Sequence, residues 1–301
     1  PLFSRLSELL RFAFSRWFRL IFYLFTIITI VIINKSWRDI INVIQQYFGL
    51  IIEGFPPAFS MQNIVFSILV LVIIPFLREV CKAVTCRHYA GRVNEIRYIL
   101  YMRFIPRFAA DLTSVAGMKE KKHRLHTFAS GPLCELLLAV AGITGWKITG
   151  GTDSPSESVW FTLAIASIIS LFLNLNPLGK GDGSLLLSIW LGIKDFRNRA
   201  VKAGKSLLLG RPNPEALTSK EQRLFKWYGI FADGYYIAET IFVLGFAGYL
   251  LMSWLSGVGF ILFLALLVLR FENEIRGFTG VISFYEWIKP YFLKNGKVNA
   301  W

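Results

Sequence analysis

Charge is scarce in this sequence, and acidic charge scarcest: 17% of the 301 residues are charged, with 19 Asp and Glu against 33 Lys and Arg, while 54% are hydrophobic. That balance excludes an ordinary soluble domain. Cysteine is equally sparse: Cys81, Cys86 and Cys134 all lie in or beside apolar stretches, which excludes a disulfide framework. No small-residue cleavage site follows the first apolar run before Lys35, so that run reads as a retained anchor, not a signal peptide. The first residue is Pro1 and not Met, as expected of a stretch from a longer chain. The sequence has no internal repeat, phosphate-binding loop, serine triad or haem motif.

Long apolar runs are present instead. Residues 20–34, 63–77, 159–175, 228–251 and 254–269 are each apolar enough to cross roughly 30 Å of hydrocarbon with help from their flanks. A weaker run, 127–146, passes through Leu136, Leu137 and Leu138. The expectation is an all-α polytopic membrane protein of six spans.

Basic residues settle the orientation. Most of the 33 lie at or before Arg19, in 87–124, in 194–226 and from Arg270 onward, whereas Lys35, Arg38 and Lys147 stand alone in the alternate loops. Six spans place all the rich segments on one side, which the positive-inside rule makes cytoplasmic, with both termini. Such residues hold topology and meet anionic headgroups, so membrane lipids are expected partners and nucleic acid is not.

Five segments follow. Residues 1–62 hold an amphipathic stretch in which Arg5, Arg11, Arg16 and Arg19 alternate with Leu9, Leu10, Phe12, Phe14 and Phe18, then the first span, then an outer amphipathic segment over 37–52 ended by Gly54 and Pro56-Pro57. Residues 63–193 form a core in which 93–108, β-branched and aromatic with interspersed Arg97, Arg103 and Arg107, predicts a short interfacial hairpin. A polar turn covers 150–158. Residues 194–226, with Gly204, Gly210, Pro212 and Pro214, read as a basic mobile loop, 227–270 as two further spans and 271–301 as a cytoplasmic tail.

The informative stretch begins Arg78-Glu79-Val80-Cys81-Lys82. Positions 78 and 82 are one helical turn apart and share a face. The zincin motif H-E-x-x-H uses that spacing to hold a metal with two imidazoles, its Glu serving as base for a metal-bound water. Farther on, Asn174 to Gly183 reads N-L-N-P-L-G-K-G-D-G. Together these segments resemble the site-2 protease family of intramembrane zinc metallopeptidases, in which an N-P-x-x-x-x-D-G type segment supplies a third, carboxylate ligand. Cys86 to Val93 is similar to the C-[KR]-x-[YF]-G-G-x-V stretch of a bacterial branch, with Ala90 in place of the first Gly, and Ser130 to Leu136 is similar to its A-G-x-x-x-E-L segment, which includes Glu135.

The resemblance implies a site-2 protease-like core in a bacterial inner membrane. It puts Glu79 at the general-base position, Asp182 at the carboxylate-ligand position and Arg78 and Lys82 at the two histidine positions, with Asn176, Pro177, Gly183 and Glu135 supporting. A guanidinium has no lone pair to give, and Lys ligates only after losing its proton, so zinc is expected to be lost and no cofactor is implied. Two readings of the substitutions stand: Arg78 and Lys82 pair with Asp182 and Glu79, replacing the charge of the lost metal, or they snorkel to the headgroups. Cys81, Thr85 and His88 share a helix face, and with His123 or His126 they are the candidates for a nonstandard metal site. Asp233 and Glu239 are further acids within apolar runs.

Without an activated water, Glu79 is not expected to hydrolyse peptides. A binding, scaffold or accessory subunit with a transmembrane protein partner is the expected function. An active metalloprotease with altered ligands and a transport or assembly accessory are the alternatives.

Overall fold

The computed structural model describes residues 15–35, 61–89, 91–101, 105–149, 155–208 and 219–279, with positions 8, 37–38, 40–42 and 45. Most of the amphipathic stretch before Arg16, the Gly54 and Pro56-Pro57 stop, the turn up to 154, residues 209–218 and the tail from 280 lie outside the described residues.

The described residues are mostly helical. Helices α1 (Arg16–Lys35) and α2 (Met61–His88) precede strands β1 (Ile96–Tyr101) and β2 (Ile105–Ala110), which pair as the expected hairpin. A 3-10 turn, Thr113–Gly117, leads to α3 (Lys121–Ile148), α4 (Pro155–Leu175), α5 (Asp182–Leu191), α6 (Phe196–Leu208) and α7 (Ser219–Thr279). Among the described residues two helical stretches, Lys121–Ile148 and Arg223–Ser253, are long and apolar enough to cross a membrane; Tyr23–Lys35, Val159–Leu175, Asp182–Leu191 and Gly257–Phe271 are shorter apolar helices.

The chain divides into two compact units, one of Pro1–Tyr98 with Phe108–Thr240 and one of Ile99–Arg107 with Ile241–Trp301. In the first, α3 is central and packs on α1, α2, α4 and α5. Small residues let the helices close: a Cβ on Gly142 would lie 2.6 Å from the Ala164 nitrogen, and one on Gly145 2.4 Å from the Trp160 ring. Beside these glycines Trp146 and Phe161 are buried against each other, their ring centroids 5.4 Å apart.

The segment expected as a mobile basic loop contains a packed helix. Phe196, Ala200 and Ala203 of α6 recur at i, i+4 and i+7 and are buried with Phe225 of α7, a stripe that the Gly and Pro content of 194–226 disguised. Gly204 permits this packing, since its Cβ would lie 3.0 Å from the Gly229 carbonyl carbon.

In the second unit α7 turns back on itself. Fifteen residues of straight helix rise about 22 Å, yet a Cβ on Gly248 would lie 2.8 Å from the Phe263 ring and one on Gly259 1.9 Å from the Leu251 carbonyl oxygen. The reversal falls between Leu251 and Gly259, where the apolar runs 228–251 and 254–269 meet.

Candidate functional site: a buried ionic cluster

Five charged residues meet where α2, α3 and α5 come together, none more than 5% exposed: Arg78, Glu79, Lys82, Glu135 and Asp182. The α-helical period brings Arg78 and Lys82 to one face and sets Glu79 three residues from Lys82. Lys82 Nζ lies 2.6 Å from Glu79 Oε1 and 2.9 Å from Asp182 Oδ1, bridging the two carboxylates. Arg78 donates to Glu79 Oε1 from Nε at 3.1 Å and from Nη2 at 2.9 Å. Its Nη1 is 3.6 Å from Glu135 Oε1 and its Nε 4.0 Å from Asp182 Oδ2. Of the two readings open at the sequence level, the buried pairing is the one observed, with Glu79 and not Asp182 as the first partner of Arg78.

Asp182 is held by the shape of the turn before it. Asn176 Oδ1 accepts from the Leu178 amide at 3.0 Å, which folds the chain after α4 into an Asx-type turn. The Pro177 carbonyl accepts from Tyr228 Oη at 2.5 Å and the Leu178 carbonyl from Arg197 Nε at 3.0 Å. Glycine is obligatory at two places, because a Cβ on Gly181 would lie 2.5 Å from the Asn174 carbonyl oxygen and one on Gly183 2.0 Å from that of Leu175. Asp182 is then the first residue of α5, where the positive end of the helix dipole favours a carboxylate. On the opposite side Gly131 provides room, its Cβ position being 2.9 Å from Asp182 Oδ2 and 3.0 Å from the Arg78 side chain.

Glu135 has its own neutral partners. Ser170 Oγ donates to Oε1 at 2.6 Å and Asn174 Nδ2 at 2.9 Å. Ser170 carries no motif signal and Asn174 enters only as the first residue of the N-L-N-P segment, although the two, four apart in an apolar run, mark a polar stripe. The Ala110 amide, which donates to Glu79 Oε2 at 3.0 Å, carries no sequence signal at all. It ties the end of β2 to α2, and Phe76 and Phe108 reinforce the junction edge to face with ring centroids 5.3 Å apart.

The remaining candidates have other partners. The Cys81 thiol faces Cys134, and Thr85 Oγ1 donates to the Cys81 carbonyl at 2.8 Å. His88 and His123 instead surround Tyr89, whose hydroxyl is 2.8 Å from His126 Nδ1. Among the described residues no group of three or more His, Cys, Asp or Glu is arranged to hold a metal ion. Asp233 pairs with Lys205 at 3.2 Å. The Cys86 to Val93 stretch has a packing role: a Cβ on Gly91 would lie 2.5 Å from Cys86 Sγ, and Ser114 Oγ accepts from the Arg92 amide at 2.9 Å and donates to its carbonyl at 2.7 Å.

The donor set at positions 78, 82 and 182 does not suit zinc. Arg78 offers no lone pair, and the Lys82 ammonium already holds the Asp182 and Glu79 oxygens that a cation would need. Glu79 is also ill placed as a general base, since Oε1 accepts two N–H groups of Arg78 with the Lys82 ammonium 2.6 Å away, and Oε2 accepts the Ala110 amide. No family model, curated protein or solved structure matches the chain, so the resemblance to the site-2 proteases rests on its sequence motifs alone.

Proposed function

We propose that this chain is a non-catalytic protein of site-2 protease type, with six membrane spans and both termini on the cytoplasmic side of a bacterial inner membrane, acting as a binding or scaffold subunit for a transmembrane partner. One observation carries the reading: Lys82 Nζ stands between Glu79 and Asp182, at 2.6 and 2.9 Å, where a catalytic relative would place its metal. Removing a dication from beside two buried carboxylates costs several kcal/mol unless other cations replace it. Two monocations from α2 do so, which keeps α2 joined to the start of α5 and leaves the fold without its Lewis acid.

The reversal of α7 at 251–259 supports counting two C-terminal spans, and the apolar helices Tyr23–Lys35 and Val159–Leu175 support two more when their flanks are included. Exposed apolar side chains such as Phe172, Phe242 and Ile261 suit contact with lipid or with a partner helix. Purification in mild detergent followed by size exclusion and cross-linking tests the subunit reading. A partner retained at fixed stoichiometry is the expected result, and a chain that elutes alone from every detergent tried, with no cross-linked product, sinks it.

A further inference from the structure

We propose that Glu135 is a proton-binding site, holding its ligand on Oε2 so that the buried cluster is electrically balanced.

The first ground is charge. Arg78 and Lys82 bring two positive charges, while Glu79, Glu135 and Asp182 bring three negative ones when all are ionised. All five are buried, so the surplus negative charge is shielded by protein and not by water. An uncompensated charge in such a place is far more expensive than a neutral acid.

The second ground is hydrogen bonding. Two carboxylate oxygens of the cluster have no hydrogen-bond partner, Glu135 Oε2 and Asp182 Oδ2. They belong to one neighbourhood: Arg78 reaches toward both residues, and Gly131, one turn before Glu135 on the same face of α3, backs directly onto Asp182 Oδ2. Ionised oxygens only accept, so neither orphan can serve the other. A proton on one of them supplies the missing donor.

The third ground decides which acid carries it. Glu79 receives Arg78 and Lys82 on Oε1 and the Ala110 amide on Oε2, a set that fits only the anion. Asp182 Oδ1 receives the Lys82 ammonium at 2.9 Å. Glu135 is different: its closest cation, Arg78 Nη1, is 3.6 Å away, and its two hydrogen bonds come from the neutral Ser170 and Asn174, both to Oε1. That is the pattern of a carboxylic acid whose carbonyl oxygen is Oε1 and whose hydroxyl is Oε2. The charged groups that face it are Arg78 from α2 and Asp182 from α5; α4 contributes only the hydroxyl and the amide.

This inference rests on the charges and distances of the cluster and holds whether or not positions 78 and 82 once held histidine, so its failure leaves the proposed function standing. The test combines conservative variants with infrared spectroscopy of the full chain in lipid nanodiscs at neutral pH. Glu135→Gln replaces a neutral acid with a neutral amide, so the melting temperature stays at the wild-type value, whereas Glu79→Gln and Asp182→Asn lower it by several degrees. The wild-type spectrum contains a deuterium-sensitive carbonyl band of a protonated carboxyl group, and Glu135→Gln removes it. A loss of stability in Glu135→Gln as large as in Asp182→Asn, with no such band lost, overturns the assignment. Should Glu135→Gln not fold, the band is sought in the D233N/E239Q background, which removes the other acids of the apolar runs; its absence there also overturns the assignment, and its presence supports it.

Discussion

The two halves of α3 are joined to the rest of the molecule by opposite means. Around residues 142–146 the helix meets α4 through glycine and aromatic rings, with Gly142 on the Ala164 backbone and Gly145 on the Trp160 ring. Around 131–135 it lines the ion pairs that join α2 to α5, with Gly131 opening a space that Arg78, Lys82 and Asp182 fill. Volume alone decides the first junction: anything that fits is tolerated. Partner matching decides the second, because every buried charge there is stable only while its counter-charge remains. Truncating a side chain should therefore hurt most at the ionic end, and enlarging one should hurt most at the apolar end.

The largest effect is expected from Lys82→Met. It strips the bridging cation from Glu79 and Asp182 and should destabilise the protein by about 3–5 kcal/mol, the usual loss when one partner of a buried pair is removed. Chemical or thermal unfolding in detergent measures it. Adding Asp182→Asn should recover part of that loss, a coupling that a double-mutant cycle reads directly and that independent sites would not show.

At the apolar end Gly142→Val should cost about 1–3 kcal/mol through overpacking, because its first added carbon already lies 2.6 Å from the Ala164 backbone nitrogen. A smaller change at the ionic end sharpens the contrast. Ser170→Ala removes the 2.6 Å donor to Glu135 Oε1 while Asn174 remains, and should cost about 1 kcal/mol by the same measurement.

The smallest effect belongs to neither junction. Hydrogen bonds from the Thr113 hydroxyl and amide and from Asn94 hold the half-buried Asp111 carboxyl below its ordinary pKa. The folded state thus favours the ionised form, so this contribution is complete above the unfolded pKa and is lost as pH falls through the lower folded value. Solvent screening keeps it to roughly a few tenths of a kcal/mol. Asp111→Asn should flatten the acid side of the stability profile only slightly, and a large change there would contradict so small a share for its Thr113, Asn94 and Arg97 partners.

Much of this arrangement is readable in the sequence. The one-turn spacing of Arg78 and Lys82 and the N-P-x-x-x-x-D-G segment, as a resemblance, pointed to the same buried cluster. The break between 251 and 254 is where α7 reverses. Local rules suffice in these cases, because helical periodicity and turn chemistry act over a few residues. The α6 helix was hidden because Gly204 looks like a breaker until its close approach to Gly229 is known. The Ala110 amide on Glu79 was hidden for a deeper reason: every residue has such a donor, and only tertiary structure selects the one used. The Arg78–Glu79 pairing was obscured as well, since adjacent residues on a helix point in different directions until a long guanidinium curls back.

The central claim, that basic side chains have taken the place of a metal, is tested most directly by the zinc content of the purified wild-type chain and of R78H/K82H, measured side by side. Restoring both imidazoles next to Asp182 recreates a two-histidine, one-carboxylate donor set. The account predicts zinc far below one per chain in the wild type and close to one per chain in the double variant. Stoichiometric zinc in the wild type, or none in a folded double variant, would contradict it.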